Sequence, residues 1–362
     1  MYQRKSDGRW CEKVKVEGRK DPLVITAKTK TELKKKVDAF RSSGVRGPSF
    51  EAAADAWDRW HAGQVEYSTN KSYSAHLDRA KEYFANRYLK DITPDDVQAY
   101  VLYLAGRGMA RATVARGLHL VNMIFNHAIT QPGCPVHYNP CTPAKIPRGL
   151  PKSRREPPTP DQLAKVAPTS EMGLFAFFLQ YTGLRKGELL ALRYEDIDRE
   201  NKIIHVSRSV SYESNKPIIK STKTEAGVRD VDLLDVLDEV LPHKKTGYVF
   251  GGKQPLTKIA FRKRWLAWCR EVGLAEATQI EHKGKNGHTY YSTIWKPLVT
   301  PHQFRHEYAS MLEEAGVSEF AAQHLLGHSS IVTTKDVYTH LRSKKRTDTA
   351  QLVNGFLSKN GR

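Results

Sequence analysis

Cysteine is scarce. Four of 362 residues are cysteine, at positions 11, 134, 141 and 269. None forms a CxxC, and four are too few to staple a chain of this length, which points to a reducing cytoplasm. No apolar run approaches the ~20 residues of a membrane span. The opening Met1-Tyr2-Gln3-Arg4-Lys5-Ser6-Asp7 lacks the apolar core of a secretory signal. GxxxxGK[ST] is missing, which excludes a nucleotide-driven motor of that type. No carboxylate cluster suggests a two-metal nuclease. Cys134-x2-His137-x3-Cys141, with His127 nearby, imitates a zinc site. Its spacing fits no finger pattern, and Pro135 and Pro140 interrupt it, so a metal is not expected there. There is no internal repeat. Acid is short as well: 39 Asp and Glu stand against 58 Lys and Arg, a formal net charge of +19. Such a surplus attracts a polyanion, and nucleic acid is the first candidate. An anionic membrane is the rival. It would want a basic amphipathic helix or a lipid anchor, and neither is seen.

What is present suffices for two or three domains. Residues 1–46 hold fourteen Lys and Arg against six Asp and Glu. Trp10 to Val16 alternates like a strand, and Leu23-Val24-Ile25 reads as another. Thr31 to Phe40 reads as a helix capped by Thr31. This small basic sheet with one helix suits DNA contact, and a mobile basic arm is the plainer alternative. Gly44 to Pro48 is a linker. Ser49 caps a helix with Phe50, Ala53, Ala54, Trp57 and Trp60 on one stripe. Asn70 to Asn86 follows, then Thr93-Pro94-Asp95-Asp96 as a clear helix start, then Thr113 to Ile129. Together they make a four-helix unit. Prolines at 140, 143, 147, 151, 157 and 158 then break regular structure and carry Lys145, Arg148, Lys152, Arg154 and Arg155. A stiff basic tether of this kind fits a protein that clamps a duplex, and a solvated linker fits nearly as well.

Thr159-Pro160-Asp161-Gln162 is a capping box that opens the last domain. Gly173 to Tyr181 is apolar nearly all round, so it is a buried helix. Lys202 to Val206 and Lys216 to Lys220 read as paired strands, with Arg229-Asp230-Val231 as a third. Ile259 to Cys269 is helical. Glu276 to Trp295 is polar and basic, an exposed loop or hairpin. Helices follow from His302 to Gly316 and from Ser318 to Leu326, and Thr333 can cap a short final one.

Arg185 and Arg305 are the strongest chemical pair, because guanidinium holds a phosphate through two parallel hydrogen bonds. Each taken alone is an ordinary surface or salt-bridge residue. Glu188, one turn after Arg185, can orient it. His302 and Arg305 are three apart on a helix and face the same way. His306, His324 and His328 fall close by in the chain, and a histidine can pass protons or bond a phosphate oxygen. Tyr338 is a candidate nucleophile, or else a core tyrosine. Cations around the phosphate would favour its phenolate.

Taken in order, these motifs resemble the tyrosine recombinases, the integrases of phages and conjugative elements. They are Thr-Gly-Leu-Arg-x-x-Glu at 182–188, Lys223 in a strand turn, His-x-x-Arg-His at 302–306, Leu-Gly-His at 326–328 and Tyr338. The helical unit with its Asn139-Pro140 exit resembles the family's core-binding domain, and residues 1–46 its arm-binding domains. The resemblance implies a multidomain α+β chain: a basic sheet-plus-helix module at 1–46, an all-α four-helix core-binding (SAM-like) domain at 47–140, a linker at 141–158, and a mixed, mainly-α catalytic domain with a small antiparallel sheet at 159–362. It implies that Tyr338 attacks the scissile phosphate to form a 3′-phosphotyrosyl link, while Arg185 and Arg305 bind the non-bridging oxygens. Lys223 would protonate the leaving oxygen, with Lys220 as the fallback. His302 would be general base or donor, and His328 would support the phosphate. Arg148, Arg154 and Arg155 are candidate DNA contacts. Expected partners are double-stranded DNA at core and arm sites, a homotetramer with exchanged C-terminal segments, and a directionality factor or DNA-bending host protein. One phosphodiester is exchanged for another, so the resemblance implies no ATP, metal or other cofactor, and a membrane is not expected. A topoisomerase-like relaxing enzyme and a DNA-binding regulator on a dead scaffold are the alternatives. The arm-like N-terminus argues against the first, and the intact residue set against the second.

Overall fold

The computed structural model describes residues 1–4, 7–14, 22–132, 134–151, 156–221, 227–283, 286 and 288–327. Two compact units divide the chain, Met1–Arg154 and Arg155–Arg362. Among the described residues no helix is long and apolar enough to cross a membrane.

The first unit opens with an antiparallel sheet of β1 (Tyr2–Gln3), β2 (Trp10–Val14) and β3 (Leu23–Ala27), followed by α1 (Lys30–Arg46). Val14, Ala27, Leu33 and Val37 form its small core. Thr29, rather than Thr31, caps the helix: its hydroxyl accepts from the Glu32 N–H at 3.1 Å. Four helices follow: α2 (Phe50–Ala62), α3 (Tyr67–Tyr83), α4 (Pro94–Gly106) and α5 (Arg111–Ile129). Ser49 caps α2 as expected. Thr93 and Asp96 close a capping box at α4, with Pro94 in the first turn. The apolar faces meet around Phe50, Trp57, Phe84, Tyr100 and Phe125. Trp60 departs from its expected inward place and is 51% exposed. It lies against His127 on α5, with ring centroids 5.0 Å apart, while His61 turns inward and stacks on Trp57. The stretch after α5 lies along this core. Asn139 donates to the Asn122 and Asn126 side chains, Gln98 brackets the Lys145 backbone at 2.8 and 3.0 Å, and Ile146 and Leu150 pack inward.

The second unit begins with α6 (Pro160–Leu163), α7 (Glu171–Thr182) and α8 (Lys186–Ala191). The capping box of Thr159 and Gln162 is present. Strands β4 (Ile197–Asp198), β5 (Ile203–Val206) and β8 (Arg229–Asp232) form one antiparallel sheet, and β6 (Arg208–Glu213) and β7 (Lys216–Ser221) form a separate hairpin. This corrects the expected pairing of 202–206 with 216–220. Ser214, at φ +55, and Asn215 make a two-residue turn that folds 216–221 back on 208–213. Next come α9 (Asp235–Asp238), α10 (Lys258–Glu271), β9 (Ala275–Lys283), β10 (Thr289–Pro297), α11 (Pro301–Glu314) and α12 (Glu319–Leu326). β9 and β10 settle the choice left for 276–295: they form an antiparallel hairpin, nine residues to a strand. The core gathers α7 with Leu189, Ile204, Val231, Phe250, Trp265 and Phe304.

Candidate active site

The site is assembled where four helices begin or end. α7 stops at Gly183, which holds the left-handed conformation at φ +61. A Cβ there would also collide with the Tyr308 ring on α11, so both backbone and packing demand glycine. The turn buries Leu184 and sets Arg185 at the start of α8. One residue into that helix, a Cβ at Gly187 would lie 2.6 Å from the Val210 carbonyl oxygen. The missing side chain lets α8 press directly on β6.

Glu188 is the hub. It is 3% exposed. Its carboxylate accepts from the Arg185 backbone N–H at 2.8 Å and from Arg185 Nη1 at 2.8 Å. It accepts from Arg229 Nη2 at 2.9 Å and Nη1 at 3.2 Å. Burial pushes this carboxyl up. The hydrogen bonds and charge of Arg229, with those of Arg185, outweigh burial, and the net shift is downward.

The three arginines also share one target. Arg229 Nε donates to the Leu325 carbonyl at 2.8 Å, Arg305 Nη2 to that of Leu326, and Arg185 Nη2 to that of Gly327 at 2.6 Å. The last carbonyls of a helix lack partners within it and form the negative end of its dipole. Here each of three consecutive ones, at the end of α12, takes a different guanidinium. Arg305 also donates to the Gly183 carbonyl at 2.7 Å, which ties α11 to the end of α7.

Arg185 and Arg305 line one open pocket of about 310 Å³ with Lys186, Gly187, Ser209 and His302. His302 is exposed in the first turn of α11, and its ring stands edge-on to His306 at 4.6 Å. His324 is exposed on α12 and does not line the pocket. Lys186 is held near the rings of Tyr212 and Phe261, at 5.5 and 5.2 Å, and burial draws its ammonium down. Burial, with the charge of Arg185 beside it, pulls the Arg305 guanidinium down to about 9, still charged at neutral pH. Arg185, Lys186 and Arg305 line the pocket and no acidic side chain does, so the pocket favours an anion. Two arginines with a histidine donor match a tetrahedral oxyanion such as a phosphodiester.

The structure therefore brings Arg185, His302 and Arg305 together. Lys220 stands on β7 opposite the pocket-lining Ser209 in the strand register. Lys223, His328 and Tyr338 lie outside the described residues, as do Arg154 and Arg155. Arg148 is exposed in the first unit. Among the described residues no group of three or more His, Cys, Asp and Glu side chains could hold a metal ion. Sequence reasoning missed Arg229, placing it in a strand without a role. A signal existed: it lies two residues before Val231, on the inward side of an alternating strand, where a charge must find a partner.

Residues 162–345 match the phage integrase family, and residues 49–105 match the phage integrase N-terminal SAM-like domain. The ICEBs1 integrase of Bacillus subtilis is 24% identical over 369 residues, covering 94% of this chain and 90% of that protein. The Tn1549 transposon integrase, solved in complex with transposon right end DNA, superposes with a TM-score of 0.64 at 19% identity. The match covers 84% of this chain and all of that one. A lambda integrase tetramer bound to a Holliday junction has a TM-score of 0.56 at 17% identity, covering 93% of each chain. With a match over half its length and the family's arginine and histidine motifs joined in one pocket, the chain belongs to the phage integrase family and is a site-specific tyrosine recombinase.

Proposed function

We propose that this recombinase integrates and excises a mobile element by cutting and rejoining DNA through a phosphotyrosyl link at Tyr338. The phenolate oxygen of Tyr338 attacks the scissile phosphorus. A bond forms to that oxygen, the bond to the 5′-oxygen breaks, and a 3′-phosphotyrosyl link remains. Arg185 and Arg305 bind the non-bridging oxygens and counter the charge that builds in the transition state. His302 accepts the phenol proton or donates to the phosphate, and His328 supports it. Lys223 protonates the leaving 5′-oxygen, with Lys220 as the substitute donor. One phosphodiester is exchanged for another, so the energy of the bond is kept and rejoining is the reverse attack. The observation that carries this reading is the convergence of Arg185, His302 and Arg305 on a single cationic pocket.

Within the same proposal, residues 1–46 bind arm sites, 47–140 form the four-helix core-binding domain, 141–158 link, and 159–362 carry the chemistry. Arg148, Arg154 and Arg155 contact the duplex backbone. The enzyme works in the bacterial cytoplasm as a homotetramer on two DNA sites with C-terminal segments exchanged, aided by a directionality factor or DNA-bending host protein. A nicked suicide duplex tests the core of it. The parent should become covalently joined to DNA, and Tyr338→Phe should bind without joining. A covalent adduct that persists in Tyr338→Phe would remove this tyrosine from the reaction.

A further inference from the structure

We propose that Arg229 is a positioning residue for cleavage: through Glu188 it aims Arg185, and through Leu325 it fixes the end of α12 that leads to His328. The inference rests on the reading above, in which Arg185 and Arg305 hold the scissile phosphate.

Arg229 cannot touch that phosphate itself. Its side chain is 0% exposed, and it does not line the pocket. Its guanidinium is spent on protein. Nη1 and Nη2 grip the two oxygens of Glu188, and Nε holds the Leu325 carbonyl. The same carboxylate then holds Arg185 twice, by backbone and by side chain. Arg185 therefore reaches the pocket from an anchor whose far side is Arg229. The carbonyl held by Nε is the first of the three at the end of α12, and the next two go to Arg305 and Arg185. Arg229 thus joins the mounts of both phosphate-binding arginines. It also opens β8, the strand that follows the segment carrying Lys223.

Only a planar fork does this. A lysine would keep the positive charge but is a single point with three donors on a flexible stem. It could meet Glu188 or Leu325, not both in the same geometry. Arg229→Lys therefore separates charge balance from aim.

The test compares strand cleavage of a normal phosphodiester with that of a methylphosphonate at the scissile position, using the full-length protein. The methylphosphonate lacks one charged oxygen, so it depends less on an aimed guanidinium. Arg229→Lys should slow cleavage of the phosphodiester by about 10²-fold, the loss that a misplacement near 1 Å can cause. On the methylphosphonate the loss should be clearly smaller than on the phosphodiester. Equal losses on both substrates would make Arg229 a merely structural residue and overturn the proposal. Arg185→Ala is the control. If that variant shows no difference between the substrates, the assignment of the phosphate pocket fails, whatever Arg229→Lys does. Should Arg229→Lys fail to fold, Glu188→Asp shortens the same link from the other end. It should show the same substrate-dependent loss, and a uniform loss there would equally refute the idea.

Discussion

Glu188→Gln keeps the shape of the hub and removes its charge. The parent carboxylate takes four hydrogen bonds, two of them from Arg229. Side-chain exposure is 2% for Glu188 and 0% for Arg229, so neither end of that pair can turn to water. A glutamine offers one acceptor oxygen and points an N–H₂ at a guanidinium. Arg229 is then a buried cation without a counter-charge, and breaking such a pair costs about 3–5 kcal/mol. The link to Arg185 adds little, because that arginine is 44% exposed and solvent screens it. With a urea m-value of roughly 2 kcal/mol/M, the second unit's midpoint should fall by about 1.5–2.5 M. Tryptophan fluorescence reads this, since Trp265 and Trp268 are buried in that unit. Replacing both partners, as Glu188→Leu with Arg229→Met, should recover most of the loss, because an apolar pair needs no counter-charge. The carboxyl sits below its ordinary 4.5, so its contribution is present above pH 4.5 and disappears as pH falls through the folded value. The gap between parent and Glu188→Gln should narrow in acid. A midpoint within about 0.5 M of the parent at neutral pH would refute the claim that this pair holds the site together.

Gly183→Ala should destabilise the second unit by about 2–4 kcal/mol, from a left-handed alanine and a clash with Tyr308, as a thermal melt would register. It should also slow DNA cleavage, since the Gly183 carbonyl holds Arg305. In the first unit, Arg87 holds the Asp96 carboxyl down at about 2, against some burial and helped by the Thr93 N–H and hydroxyl. Asp96→Asn should cost that unit about 1–2 kcal/mol at neutral pH. The difference from parent should vanish as pH falls from about 4 to 2, and chemical denaturation across that window checks the sign. Deleting residues 1–46 should spare cleavage of a core site and impair integration. Unchanged integration would make that segment a tail.

Local signals were legible before any coordinates. Thr93-Pro94-Asp95-Asp96 and Thr159-Pro160-Asp161-Gln162 start helices because a cap is decided within four residues. The choice of Thr31 over Thr29 failed by half a turn, since both can offer a hydroxyl to the same end. Trp60 failed for another reason: a stripe marks a direction, not the width of the neighbour, and the indole ends beside His127 at the rim. Strand β6 was overlooked although Ser214-Asn215 stands between two alternating runs. Pairing is non-local, and an earlier apolar run looked like the better partner. The pocket was half legible. Arg185, His302 and Arg305 stand in recognisable motifs, whereas Arg229 has meaning only once β8 turns it toward Glu188.

The β9–β10 hairpin has a practical consequence. Its tyrosines 290 and 291 are 57% and 64% exposed, yet its base is sealed: the Leu298 N–H donates to the Leu274 carbonyl at 2.8 Å, and Leu274 and Val299 are fully buried. The two ends are neighbours, and Trp295 near the base lies under the Arg270 guanidinium of α10 at 4.6 Å, so the distal part can grow or shrink while α10 and α11 keep their places. The exposed tip is therefore the natural place to hang a fluorophore, away from the Arg185 and Arg305 pocket whose lining includes no residue of the hairpin.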